Sequence, residues 1–298
     1  MSKFDYTYPN IGTFKQRGGL NQRVERLKEI NQEKKTSDFK FIEIPADFVK
    51  NCKEEIKTGL PIGSFIDNKT VGNLYENDRL VDEIDYILHT EPVFRRNGCE
   101  KSVMTDLKWY NTKWLDSFIK HIFSIIDFFE ILPYAIEIHP GRSLRKKNTF
   151  ENLAMGIEKL YNKFNDKYNK DITIFIENRT GQQIKSGKDI KNFWKFFSTN
   201  YSDLIGNVGI ILDIQQLCTV SKEKFIYEFN LIPKNSLSGL HVHKKHQIPS
   251  KSDIIPWRFI SNEINSIESG KPLHILPEVF HSKHVEATYD FCKEVLEF

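Results

Sequence analysis

Short runs of β-branched and aromatic residues alternate along the chain with longer segments of helical spacing. Eight runs read as strands: Tyr6–Tyr8, Phe39–Ile44, Ile84–Leu88, Tyr134–Ile138, Ile172–Ile176, Val208–Leu212, Leu237–Val242 and Leu273–Leu276. Their near-continuous apolar character is that of parallel strands covered on both faces. Between them, Leu153, Ile157, Leu160, Tyr161 and Phe164 fall on one helical stripe, as do Trp114, Phe118, Ile122, Ile125 and Phe129. Val285, Thr288, Tyr289, Cys292 and Val295 mark a closing helix, with Ser282 placed to cap it. Eight strands alternating with helices predict an α/β fold, a closed (β/α)8 TIM barrel in one domain over residues 1–298, ahead of a doubly wound sheet. The least regular stretches, Asn51–Asp82 and Lys244–Pro256, read as functional loops.

Composition changes this picture little. With 298 residues the chain can bury a large core without a staple, and 39% hydrophobic with 28% charged residues is ordinary globular usage, which argues against disorder. A net charge of +3 does not by itself point to nucleic acid, so a basic patch has to be sought locally. Cys52, Cys99, Cys218 and Cys292 form no CxxC pair and read as small apolar residues of a reduced protein. No apolar run has membrane-spanning length and the first residues lack a signal-peptide pattern, so a cytoplasmic location is expected.

The chemistry is expected where barrel strands end, because catalytic groups of such barrels come from the C-terminal ends of several strands. His89 follows Ile87-Leu88, His139 follows Ile138, Glu177 closes the fifth run and Asp213 the sixth. His241 and His243 flank Val242 and point the same way, and Glu278 follows Leu276-Pro277. Any one of these has an ordinary explanation as a capping or hydrogen-bonded residue. Together they converge on one small volume where imidazoles and carboxylates call for a cation, and the mixed donor set suits Zn²⁺ or Mn²⁺.

The runs Ile138-His139-Pro140-Gly141, Glu177-Asn178-Arg179-Thr180-Gly181-Gln182 and Asp213-Ile214-Gln215-Gln216 resemble the metal-binding strand ends of endonuclease IV, in the xylose isomerase-like TIM-barrel superfamily. The resemblance implies one ion held by His89, His139 and Glu177, and another held by Glu177, Asp213, His241 and Glu278. It implies phosphodiester hydrolysis on DNA of the abasic-site repair kind, with Glu177 bridging and Glu278 orienting the nucleophile. The chain departs from that family at its third metal position. Gln216 stands where the family has a histidine, and Lys244-Lys245-His246 stands in place of an Asp-x-His pair, leaving only His246 as a donor. One or two ions are therefore expected, not three.

Lys244 and Lys245 are candidates to meet a substrate phosphate, as are Arg142 and Arg179. Arg145, Lys146 and Lys147 continue the basic run after the fourth strand, and Arg95 and Arg96 follow the third; a solvated loop is the plain alternative. Trp109-Tyr110 reads as core or as substrate wall, with core the default. The main competing function is a sugar isomerase or epimerase of the same superfamily, needing one metal on Glu177, Asp213, His241 and Glu278 and two carboxylates to move protons. A binding module that kept only the barrel is the third.

Overall fold

The computed structural model describes residues 3–10, 20–46, 84–90, 93–94, 103–104, 107–143, 147–268 and 270–297. Eight parallel strands close a barrel: β1 (Phe4–Tyr8), β2 (Phe39–Pro45), β3 (Asp85–His89), β4 (Ala135–Ile138), β5 (Thr173–Glu177), β6 (Val208–Asp213), β7 (Leu237–His241) and β8 (Leu273–Leu276). Each strand bonds to the next in chain order, and β8 bonds back to β1. All eight expected strands are present, with ends displaced by one or two residues at most. The displacement matters at three places, because His89, Glu177 and Asp213 are the last residues of their strands. A two-residue ribbon, Val93–Phe94 with Val103–Met104, lies outside the barrel.

Strand alternation sorts the side chains into two cores. Ile42, Ile44, Tyr86, Leu88, Ile136, Ile138, Ile174, Ile176, Ile210 and Leu212 face the helices in the large cluster. Phe41, Ile87, Ala135, Phe175 and Ile211 form a separate small cluster inside the barrel. Facing residues two apart on each strand share a side, so whatever follows at the next even step also points inward.

The helical stripes are buried as their spacing requires. Trp114, Phe118, Ile122, Ile125 and Phe129 cover the barrel from helix Thr112–Phe129, and Leu153, Ile157, Leu160 and Phe164 do so from Phe150–Tyr168. Trp109 belongs to this shell: it packs edge-on against Trp114 and Phe118, and a Cβ on Gly156 would sit 2.6 Å from its ring. The closing helix, Ser282–Val295, departs from expectation at its start. Ser282 is already helical, His281 occupies the capping position, and no side chain caps the first amides. Cys218 and Cys292 are buried free thiols, while Cys52, Cys99 and the stretch Asn51–Asp82 lie outside the described residues. Among the described residues no helix is long and apolar enough to cross a membrane.

Candidate metal centre

In five adjacent strands the inward position changes character within one step of two residues. Phe41 is followed by Glu43, Ile87 by His89, Ala135 by Glu137, Phe175 by Glu177 and Ile211 by Asp213. His139 continues the inward row of β4, His241 and His243 that of β7, and Glu278 lies just beyond β8. All of these except Glu278 are at most 5% exposed. Burying so many ionisable groups is costly unless each finds a partner of opposite charge or a cation.

The donor atoms form overlapping groups. His89, His139 and Glu177 bring ligand atoms within 4.8 Å of one another, as do Asp213, His241 and Glu278. His89 Nε2 lies 3.1 Å from His139 Nε2 and 3.4 Å from Glu177 Oε2, while His139 Nδ1 lies 3.5 Å from that same oxygen. His241 Nδ1 lies 3.9 Å from Glu177 Oε2 and 3.5 Å from Glu278 Oε2. The structure thus brings together all six residues expected as ligands from the sequence.

The loops hold this arrangement through backbone contacts. Asn178 accepts the Asp213 amide at 2.8 Å and donates to the Asp213 carbonyl at 3.2 Å, pinning the end of β5 to the end of β6. Asp213 Oδ1 in turn accepts the Gln216 amide at 2.8 Å and caps helix Ile214–Ser221. After β4, Gly141 takes φ +77° and donates its amide to Gln182 Oε1 at 2.6 Å, while Gln183 donates to the Pro140 carbonyl. The Pro-Gly turn beyond His139 is therefore tied to the Glu-Asn loop beyond Glu177, which gives both motifs a structural reason.

Three residues that the sequence reading left out of the ligand set belong to the cluster. Glu43 hydrogen-bonds His89 Nδ1. Glu137 Oε1 lies 3.1 Å from His241 Nε2 and 3.7 Å from His89 Nε2. His243 Nε2 lies 3.1 Å from Glu278 Oε2 and 3.4 Å from Asp213 Oδ1. Its Nδ1 lies 2.9 Å from the His246 amide, and its Nε2 faces the two carboxylates and hydrogen-bonds Asp213 Oδ2 at 3.4 Å. Strand parity was the available signal, since Glu43 and Glu137 share the inward face of Phe41 and Ala135.

The remaining candidates are placed differently. Arg179 is half-buried, with Nη1 3.8 Å from Glu177 Oε1. Lys244 is ion-paired with Asp253 and sits in a tight turn bridged to Gln247. Lys245, Arg142 and Lys147 are exposed, and Arg95, Arg96, Arg145 and Lys146 lie outside the described residues. Gln216 accepts the Thr180 amide at 3.1 Å through Oε1. His246 stacks on His243 and Phe280, with Nδ1 3.5 Å from Glu278 Oε1.

Electrostatics within the cluster are divided. Burial and the neighbouring Arg179 hold His139 well below the usual imidazole range. Burial pulls His89 and His241 the same way, but Glu137 and the other carboxylates more than offset it and raise both well above that range. Burial raises Glu177 against the pull of His241, whereas His243 and His241 overcome burial at Glu278 and hold it well below the usual carboxylate range.

The donor chemistry fits a divalent ion. Both carboxylate oxygens of Glu177, Oε2 of Glu278, Nδ1 of His139 and Nδ1 of His241 are buried without a hydrogen-bond partner, and they converge. Such orphaned acceptors are what a bound cation satisfies.

No protein-family model and no curated protein sequence matches the chain. Solved structures match it over nearly its whole length. D-psicose 3-epimerase from Clostridium cellulolyticum H10, solved with D-tagatose, aligns with a TM-score of 0.56 at 12% identity over 99% of both chains. The IolI protein, solved with a bound zinc atom, gives 0.56 at 9% over 98% of both. A putative xylose isomerase from Rhodospirillum rubrum ATCC 11170 gives 0.53 at 9% over 97% of this chain and 98% of that one. The eight-stranded closed barrel and these likenesses together show that the chain has the (β/α)8 barrel fold of these structures.

Proposed function

We propose that this chain is a divalent-metal-dependent isomerase or epimerase acting on a sugar-like hydroxycarbonyl compound. The observation that carries the reading is the bracket around His241. Glu177 Oε2 and Glu278 Oε2 lie 3.9 and 3.5 Å from its Nδ1; Asp213 shares one donor group with His241 and Glu278, and Glu177 shares another with His241 and Glu137. Glu177, Asp213, His241 and Glu278 are the ligands of one ion. A bound Zn²⁺ or Mn²⁺ supplies Lewis-acid polarisation of a substrate carbonyl or hydroxyl. Glu177 reaches in from the buried interior and Glu278 from the rim, where its side chain is 22% exposed. The two carboxylates suit removal of a proton from the carbon beside a carbonyl and its return from the opposite side. His243 steadies Asp213 and Glu278, and Arg179 is the cation placed to meet a substrate oxygen near Glu177. The likeness to a sugar epimerase supports this reading at the level of fold.

The expectation of a DNA-repair nuclease finds no support in these likenesses. Its third-metal positions are otherwise engaged, Gln216 by the Thr180 amide and Lys244 by Asp253. One observation keeps a two-ion phosphodiesterase as the second reading: His89, His139 and Glu177 form a donor group of their own. Metal analysis separates the two. One ion per chain, retained in His139→Ala, supports the isomerase; two ions, one lost in that variant, support the phosphodiesterase. Deuterium uptake from D₂O into a panel of ketoses, set against cleavage of an abasic-site duplex, tests turnover. Absence of exchange with every ketose, at full metal loading, overturns the isomerase.

A further inference from the structure

Two buried carboxylates beneath the ligand set have no place in the reaction just described. Glu43, 5% exposed on β2, hydrogen-bonds His89 Nδ1, and its other oxygen accepts the Asn10 amide at 2.5 Å. Glu137, 3% exposed on β4, lies 3.1 Å from His241 Nε2. The Glu43 contact is an aligned hydrogen bond; the Glu137 contact is not, since Glu137 Oε1 has no aligned donor, and proximity and charge hold that pair. The two imidazoles use opposite nitrogens. His89 turns Nδ1 to Glu43 and leaves Nε2 toward Glu177, with Glu137 Oε1 3.7 Å from that same nitrogen, whereas His241 turns Nε2 to Glu137 and leaves Nδ1 toward Glu177 and Glu278.

We propose that Glu43 and Glu137 are positioning residues, a carboxylate floor in which Glu43 fixes the tautomer of His89 through its hydrogen bond and Glu137 holds the ring of His241 by charge. Nε2 of His89 then faces the donor group it forms with His139 and Glu177, and Nδ1 of His241 faces Glu177 and Glu278. An imidazole whose far nitrogen donates to a carboxylate is held in orientation and made a stronger ligand, and loss of such a partner typically weakens metal binding about 10- to 100-fold. Strand register explains why the floor exists. Glu137 is paired with His89 across β4 and β3, and Glu43 precedes by two residues the Pro45 that pairs with His89 across β2 and β3, so both carboxylates sit near the level of the histidine. The Glu137 half of the proposal rests on the ion proposed at Glu177, Asp213, His241 and Glu278, and the Glu43 half on an ion at His89, His139 and Glu177; neither rests on which reaction is served.

The test is calorimetric titration of the metal-stripped protein with Zn²⁺ or Mn²⁺ alone, for wild type, Glu43→Gln, Glu137→Gln, Glu43→Leu and Glu137→Leu. The leucine variants are expected to bind about 10- to 100-fold more weakly. The glutamines, whose amide oxygen still accepts an imidazole N–H but carries no charge, are expected to bind measurably more weakly than wild type, by up to about tenfold. Urea unfolding of the metal-stripped forms supplies the structural control, with the leucine variants expected to be less stable than wild type, since each leaves a buried imidazole without its carboxylate and Glu43→Leu also strands the Asn10 amide, so that affinity is read on the folded protein. If the leucine variants do not fold, the glutamines decide. Wild-type affinity in both glutamine variants overturns the proposal. So does complete loss of the ion in Glu137→Gln, which makes Glu137 a ligand. A wild type that binds the ion but exchanges no ketose sinks the isomerase reading alone.

Discussion

The barrel interior is two materials stacked one on the other. The lower is Phe41, Ile87, Ala135, Phe175 and Ile211, a small hydrocarbon cluster. The upper, two residues further along the same strands, is Glu43, His89, Glu137, Glu177 and Asp213, equally buried and almost wholly ionisable. Both layers exclude water, yet burial stabilises the first and burdens the second. The difference teaches where each kind of information lives: the lower layer closes the barrel, and the upper layer gathers donors that could hold an ion.

The sharpest break of this comparison is to remove a ligand. Glu177→Ala is expected to abolish ion binding, a loss exceeding about 100-fold, while leaving the metal-stripped protein as stable as before or more so, since a carboxylate raised by burial disappears. Metal content after dialysis and the urea midpoint read the two effects separately. A large fall in the metal-stripped midpoint would mean that the upper layer stabilises the fold as the lower one does.

The converse variant is Phe175→Ala, one step of two residues below. Phe175 is 2% exposed and packs against His274 with ring centroids 5.1 Å apart. Truncating it opens a cavity and is expected to cost about 3–5 kcal/mol of unfolding free energy, with ion affinity of the folded fraction within a few-fold of wild type. Urea denaturation and zinc titration of the same sample check both halves.

Legibility from sequence divides along the same line. The strands were readable because their outward faces are nearly continuous Ile, Leu and Tyr, and the candidate ligands His89, His139, Glu177, Asp213, His241 and Glu278 were readable because they punctuate strand ends. Glu43 and Glu137 were hidden inside the apolar runs Phe41-Ile42-Glu43-Ile44 and Ile136-Glu137-Ile138, where inspection of the ends passes over them. Counting by twos from Phe41 and Ala135 finds both. The engagement of Lys244 by Asp253 and of Gln216 by the Thr180 amide was not readable, because each depends on a contact between separate parts of the chain.

Proton linkage gives a third way to sharpen the contrast. In the metal-stripped protein His89 and His241 are raised well above the ordinary imidazole value. Their contribution to stability is therefore fully present below the unfolded value of about 6.5 and is lost as pH rises through the raised folded values. Ion binding requires neutral imidazoles and releases those protons, so its affinity grows over the same range. The gap in melting temperature between zinc-loaded and chelator-treated protein is expected to widen steadily from pH 6 to pH 9. A gap that stays constant contradicts the placing of His241 in the proposed ligand set and leaves no ion at the group that contains His89.

The smallest effect comes from the one histidine in the lower layer. His274 lies among Phe41, Tyr134 and Phe175, and burial pushes its pKa down to about 4 against the opposing pull of Asp5 and Glu137. Here the sign reverses. The unfolded chain takes up this proton near pH 6.5 and the folded chain does not, so the stability His274 confers is present above that value and is lost as pH falls toward 4. His274→Phe keeps a ring in the aromatic cluster and removes the proton, and its unfolding free energy should fall less steeply between pH 6.5 and 4, by a slope of at most one proton. Urea unfolding of the metal-stripped protein at four pH values in that range measures it. The same residue type thus answers to pH in opposite directions two residues apart along the barrel axis, and an unchanged slope would mean that water reaches the lower layer and that the two layers are one.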